Sequence, residues 1–186
     1  MSINVRCAGR FITLTKQIGS GGEGDVYQHP TEPAQVIKLF KESNRRVKAE
    51  KVAAMLELVG DQNTGFATFP LSLVMNDSAQ AVGYAMPKVM QSEPINDLLS
   101  NQQRKKTCPD SDYRFLVRVA LNTARAVATI HKFGCVIGDI NSSGIFVSQA
   151  GLVTLIDADS FQFTHNGKLY PCTVGTGEYT PPELQG

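Results

Sequence analysis

Three ionisable residues interrupt apolar runs in this chain. Lys38 lies within Val36-Ile37-Lys38-Leu39-Phe40, Asp139 follows Val136-Ile137-Gly138, and Asp157 follows Val153-Thr154-Leu155-Ile156. An ammonium inside an apolar strand is costly unless it is paired, and Glu50, 12 residues further on, is the acidic group placed to pair with it. Asp139 and Asp157 lie 18 residues apart and bracket two short apolar stretches, 145–147 and 153–156, joined by Ser-Gln-Ala-Gly. A hairpin there returns the chain, so both carboxylates can face one cleft. One can then position a hydroxyl while the other holds a divalent metal on phosphate. Upstream, Gly19-Ser20-Gly21-Gly22-Glu23-Gly24 concentrates backbone freedom between apolar residues. The same glycine spacing occurs in dinucleotide-binding loops, which require a helix directly after the glycines. Here Asp25-Val26-Tyr27 continues as a strand, so the glycines sit on a β-hairpin whose N–H groups can face phosphate oxygens. Taken singly, each feature has a plainer reading: a flexible hairpin, a solvated helix glutamate, two turn or cap aspartates. Their coincidence is what points to a triphosphate held by a lysine and two acids.

These groups need positioning elements. Residues 11–18 alternate and run into the glycine cluster as a strand, 25–29 return from it, and 34–40 form a third strand. Residues 44–58 read as a helix with Val47, Val52, Met55, Leu56 and Val59 near one face. Further strands are expected at 71–75 and 81–88, separated by Asn-Asp-Ser. Beyond residue 90 the character changes. Residues 102–106 are polar and basic and read as a solvated surface. Asp110, Ser111 and Asp112 are N-cap candidates for a long helix over 113–133 ended by Gly134. Leu116, Ala120, Thr123, Val127 and Ile130 are its expected buried stripe. The stretch 175–183 is too rich in glycine and proline for regular structure. The fold class is therefore α+β, with a β-rich lobe over 1–90 and a helical one over 91–186, hinged at 90–94.

With 186 residues, 42% of them hydrophobic and 19% charged, the chain is long enough for one domain or two small lobes. A net charge of +1 gives no sequence-wide argument for nucleic-acid or membrane binding. The four cysteines form no CxxC pair and suit reduced thiols, and neither a signal peptide nor a bilayer-length apolar run is found. A cytoplasmic address follows as the default.

The whole set resembles a protein kinase of the eukaryotic-like (Hanks) type, over residues from about 11 to 186 and in the family's order and spacing. The resemblance implies a bilobal kinase fold whose C-lobe is truncated and mainly helical. Gly19, Gly21, Gly24 and Val26 match the glycine-rich loop, with Ser20 and Gly22 beside them; Lys38 matches the strand lysine and Glu50 its helix partner. Met86 falls at the gatekeeper position, Pro87, Lys88 and Val89 at the adenine-reading hinge, and Glu93 where a ribose contact is common. His131 precedes Asp139 by eight residues, as in the family. Asp139 matches the catalytic aspartate, Asp157 the metal-binding one, Phe146 a nucleotide contact, and Pro182-Glu183 the end of the activation segment. The wording GDIN…LIDADSFQF…GTGEYTPPELQG is similar to a bacterial branch in which a kinase domain precedes helix-hairpin-helix DNA-binding segments. The resemblance thus implies an ATP- and Mg2+-dependent (or Mn2+-dependent) transfer of the γ-phosphate to Ser/Thr hydroxyls of a protein substrate. Any DNA contact would lie in segments outside this chain.

The departures bear on activity. His-Arg-Asp reads Ile137-Gly138-Asp139, so no arginine awaits a phosphorylated loop. The catalytic-loop lysine position holds Asn141, the second metal-binding asparagine position holds Gly144, and Asp-Phe-Gly reads Asp157-Ala158-Asp159. Asn141 or Asp159 is left to complete the metal shell. After Glu183 only Leu184-Gln185-Gly186 remain, which implies a fragment or a minimal lobe, exposed apolar surface, and association with itself or a partner. Tyr170, Thr173 and Thr176 are phosphorylatable hydroxyls whose plain reading is solvation. Three functions stand: an active Ser/Thr-type protein kinase, a nucleotide-binding pseudokinase acting as a switch, and a small-molecule phosphotransferase. The segment 175–183 argues against the third, because in the family it shapes a platform for protein substrates.

Overall fold

The computed structural model describes residues 2–60 and 65–184; Gln185 and Gly186, which close the last motif, lie outside them. The chain divides into two compact units, one from Met1–Gln62 and Phe69–Lys88, the other from Asn63–Thr68 and Val89–Gly186.

The first unit carries β1 (Ile3–Cys7), β2 (Arg10–Leu14), β3 (Gln17–Ser20), β4 (Gly24–Gln28), β5 (Gln35–Phe40), α1 (Arg45–Val59), β6 (Ser72–Met75) and β7 (Ala81–Pro87). The strands form one antiparallel sheet in the order β2-β1-β6-β7-β5-β4-β3. The single strand expected over 11–18 is two: β2 ends at Leu14 and pairs with β1, and β3 starts afresh at Gln17. The sequence reading missed β1, although Ile3, Val5 and Cys7 alternate with Asn4 and Arg6, and Val5 and Cys7 are buried.

Strand alternation sorts the sheet's two faces. Ile37 joins Val5, Leu14, Val74 and Val82 on one face. Val36 and Phe40 join Tyr84, Met86 and Val52 of α1 on the other. Each such side chain contributes about 1.5–3 kcal/mol by leaving water. Helix α1 buries Val52, Ala54, Met55 and Val59. Val47, expected on that face, is 71% exposed. Five residues advance a helix by about 140° past a full turn, so Val47 and Val52 cannot share a stripe.

The second unit carries β8 (Ser92–Pro94), α2 (Asn96–Leu99), α3 (Asn101–Thr107), α4 (Tyr113–Lys132), β9 (Ile145–Ser148), β10 (Val153–Leu155), β11 (Phe163–His165) and β12 (Lys168–Tyr170). The sheet β10-β9-β8 is antiparallel, and the stretch 66–68 lies against β10 through Thr68 N–H to Leu155 O and Leu155 N–H to Phe66 O. The polar stretch 102–106, expected as plain surface, is the body of α3, capped by the Ser100 hydroxyl. Helix α4 starts as expected, with Asp112 Oδ1 accepting the Phe115 N–H at 2.8 Å, and Gly134 closes it at φ +72°.

Its buried stripe, however, is Phe115, Val119, Asn122, Ala126 and Ile130. Of the expected set only Ile130 is buried; Leu116, Thr123 and Val127 flank the stripe, and Ala120 is exposed. The register was hidden by Asn122, a polar residue at its centre, whose Nδ2 donates to Gly151 O at 2.7 Å. The β11–β12 hairpin was also missed, although Asn166-Gly167 at its tip, φ +49° and +75°, is a strong short-range hairpin signal. No helix among the described residues is long and apolar enough to cross a membrane.

Candidate active site

In the first unit the glycine-rich segment is the β3–β4 hairpin, with Gly19 opposite Val26 and Ser20 opposite Asp25. The Gly21 N–H donates to Gly24 O at 2.9 Å and closes the tip. Ser20, Gly21 and Gly22 are exposed. Gly24 is buried and belongs to β4 rather than to the tip: a Cβ there would come within 2.5 Å of the Leu39 carbonyl oxygen of β5. Gly24 thus lets two strands approach, while Gly21 and Gly22 leave the tip bare.

Register then places Lys38. It lies between Val26 of β4 and Tyr84 of β7, in one row across the α1-facing side of the sheet. Alternation puts it on the face of Val36 and Phe40, where it is 4% exposed. Its Nζ lies 4.0 Å from the Glu23 carboxylate of the glycine-rich hairpin. Glu50, its expected partner, is an exposed residue of α1. Glu23 is also held from the helix: Lys48 Nζ donates to Glu23 Oε1 at 2.7 Å and to its carbonyl oxygen at 3.3 Å.

A second clasp lies on the neighbouring strand. Lys41 Nζ donates to both Asp25 oxygens at 2.8 Å, and the Ser20 hydroxyl donates to one of them at 2.6 Å. The hydrogen bond from Lys41, then that from Ser20, hold the Asp25 carboxyl below its ordinary value of 3.8. Neither Glu23, Lys41 nor Lys48 had been singled out from the sequence. Met86 is buried on β7 opposite Val36, Pro87 ends that strand, and the Lys88 N–H donates to Ala34 O at 2.8 Å.

In the second unit, Val89 is half-buried, and Glu93 lies exposed on β8 opposite Val147. Glu93 borders a recess of about 380 Å³ with Gln91, Cys108, Val147 and Gln149. Phe146 is half-buried on β9, between Thr154 and Pro94. His131 is exposed in the last turn of α4.

Asp139 is half-buried, and one of its oxygens accepts a hydrogen bond from the Thr176 hydroxyl at 3.0 Å. Thr176 therefore has a defined partner instead of solvent alone. Two residues on, Asn141 Oδ1 accepts the N–H groups of Ser143 at 3.0 Å and Gly144 at 2.9 Å. This oxygen shapes the loop, so ligating a metal would require it to leave two amides. A side chain at Gly144 would meet nothing closer than 3.6 Å.

Asp157 is exposed at the end of β10, and its backbone is left-handed, φ +59° and ψ +42°, which is uncommon for a residue with a Cβ. The conformation is held from behind: the Ser160 N–H and hydroxyl both donate to Asp157 O, at 2.9 and 2.8 Å. Asp159 is buried, 6% exposed, whereas Asp157 is exposed. Among the described residues no group of three or more His, Cys, Asp or Glu side chains gathers around a potential metal position. The absence of such a group among the described residues suits a Mg2+ that keeps its waters and arrives on phosphate, and not a closed protein cage.

The protein kinase domain family model matches residues 12–185. Protein kinase YegI of Escherichia coli strain K12 is 36% identical over 178 residues, and its counterpart in Escherichia coli O157:H7 is 35% identical. Each alignment covers 95% of this chain but 28% of the relative, so the chain spans about a quarter of their length. Among solved structures, the ROP18 kinase domain in complex with AMP-PNP and sucrose superposes with a TM-score of 0.64 at 16% identity, over 100% of this chain and 62% of that one. ROP2 from Toxoplasma gondii, described as having a protein-kinase fold and no enzymatic activity, gives 0.60 at 16% identity, over 98% and 60%. At that identity the two structures speak for fold alone. With the family match spanning nearly its whole length, this chain belongs to the protein kinase domain family.

Proposed function

We propose that this chain is a Ser/Thr-type protein kinase domain that transfers the γ-phosphate of ATP to protein hydroxyls. The observation that carries the reading is the Thr176 hydroxyl on the Asp139 carboxylate at 3.0 Å. Asp139 already holds an alcohol in hydrogen-bond reach, the geometry that a general base for an attacking Ser or Thr requires.

The remaining roles follow from chemistry. Gly19, Ser20, Gly21, Gly22 and Gly24 offer backbone donors to phosphate oxygens, and Val26 and Met86 bracket the adenine, which Pro87, Lys88 and Val89 read through the backbone. Glu93 meets the ribose and Phe146 the base. Lys38, supported by Glu50, neutralises the α- and β-phosphates, and its burial makes that charge strong. Asp157, with Asn141 as the second candidate ligand, holds Mg2+ or Mn2+, which when bound neutralises charge developing on the phosphates. The setting is cytoplasmic. Tyr113, Val117 and Leu121 form an exposed stripe one turn apart on α4, which supports association with a second copy or a partner protein. DNA contact, where the longer relatives make any, belongs to segments outside this chain.

A second reading is a nucleotide-binding switch without transfer. It is favoured by the engagement of Asn141 Oδ1 with two amides and by the missing side chain at Gly144; ROP2 shows that the fold can be kept without activity. Labelled ATP with Mg2+ and generic protein substrates separates the two. Transfer onto Ser or Thr that is abolished by Asp139→Asn, with nucleotide binding retained, supports the kinase. Binding without transfer, unchanged in Asp139→Asn, refutes it.

A further inference from the structure

We propose that Gly138 is a notch that seats the activation segment. Its missing side chain admits Cys172, and that contact holds Thr176 on Asp139. The inference rests on the kinase reading for its effect on turnover, but its geometry stands independently.

Gly138 is not required for its backbone, since it is absent from the positive-φ glycines. It is required for space. A Cβ built on it would overlap Cys172 Cβ and lie 2.5 Å from Cys172 Sγ. The overlap includes Cβ, which moves only with the backbone, so a methyl group at 138 must displace the segment at 172. Cys172 is itself half-buried, and its thiol donates to Val174 O at 3.1 Å, turning the chain toward Thr176.

Two further contacts continue in the same order along both stretches: Thr176 on Asp139, and the Tyr179 hydroxyl 3.0 Å from Ser142 Oγ. Residues 172, 176 and 179 thus meet 138, 139 and 142 in the same order along the two stretches. Gly138 occupies the place where the family resemblance leads one to expect an arginine awaiting phosphate. In this chain a packing contact takes that place, followed by the two hydroxyl contacts.

The test is a side-chain exchange. Gly138→Ala is expected to lower kcat by about ten- to a hundredfold, the upper figure being the cost of a misplacement near 1 Å, with KM for ATP unchanged. Amide hydrogen exchange over 174–180 is expected to quicken. Cys172→Gly alone, which empties the notch and removes the thiol, should also lower turnover and quicken exchange over 174–180. In the double variant the new methyl would have no neighbour nearer than Cys172 Cα, at 3.9 Å. It should therefore recover most of the lost turnover and restore the exchange protection.

Wild-type turnover and exchange in Gly138→Ala would overturn the proposal, as would a double variant no better than Gly138→Ala. Should Gly138→Ala fail to fold, recovery of a folded double variant supports the contact and its absence refutes it. Should the wild type transfer no phosphate, the kinase reading fails, and hydrogen exchange in the three variants still decides the notch.

Discussion

Glu23→Gln should tighten nucleotide binding, because Glu23 carries a negative charge into the position where phosphate charge is expected. Its carboxylate lies 4.0 Å from Lys38 Nζ, and the two side chains are 25% and 5% exposed. Two unit charges at that separation attract by about 4 kcal/mol at an effective dielectric constant near 20. Most of that gross figure is offset, since Glu23 is shared with Lys48 at 2.7 Å and both groups are partly desolvated. A net advantage of about 1 kcal/mol to the incoming phosphate remains, or about fivefold in Kd. Lys48→Met should act in the opposite sense. It frees Glu23 from the helix and leaves its full charge beside Lys38, weakening binding by about threefold. Calorimetric titration of both variants with a non-hydrolysable ATP analogue at low ionic strength reads both effects. Weaker binding in Glu23→Gln, or a shift of the same sign in both variants, would refute the argument and leave the Glu23–Lys48 pair as a clasp alone.

Lys38→Met should reduce ATP-analogue affinity by at least about tenfold while leaving Tm unchanged or raised, since a buried ammonium becomes an apolar chain; unchanged affinity contradicts the assignment. Gly144→Asn should fold normally, with Tm within about 2 °C of wild type, and lower the Mg2+ concentration needed for half-maximal transfer; a large loss of stability would show the space to be misjudged. His29 Nδ1 accepts the N–H groups of Thr31 and Glu32 at 3.3 and 3.0 Å, and burial, opposed by the Glu32 charge, holds its pKa below the ordinary 6.5. The unfolded chain therefore takes up that proton first, so the stabilisation is complete above pH 6.5 and is lost as pH falls below it. His29→Asn, which keeps the acceptor without the titration, should flatten the fall in urea-derived stability just below pH 6.5, and equal slopes would count against it. Asn122→Leu strands the Gly151 carbonyl and should cost about 1–3 kcal/mol, read as a Tm loss of roughly 2–4 °C per kcal/mol.

The fold class was legible because its signals are local. Apolar runs bounded by turn residues mark β5 and β7, the Asp112 cap and Gly134 bound α4, and Gly19 to Gly24 mark a hairpin by residue type alone. Registers failed where one residue contradicted its neighbours' pattern. Asn122 displaced the expected stripe of α4 by one position because its hydrogen bond to Gly151, 29 residues away, outweighs its polarity.

What stayed illegible in the candidate site has one physical cause. The lysine, the aspartates and the glycines announce themselves by type, but the contacts that position them join residues of ordinary type across long separations. Glu23 meets Lys48 25 residues on, and Thr176 meets Asp139 across 37. Gly138 shows the limit most clearly. In sequence it is only a missing arginine, a defect by comparison with relatives. In space its bare Cα is the surface on which Cys172 rests, so the same residue is a loss of charge and a gain of fit. Which of these governs turnover depends on whether the activation segment must be fastened by charge or only held in place, and a side chain moved from 172 to 138 changes the packing without adding a charge.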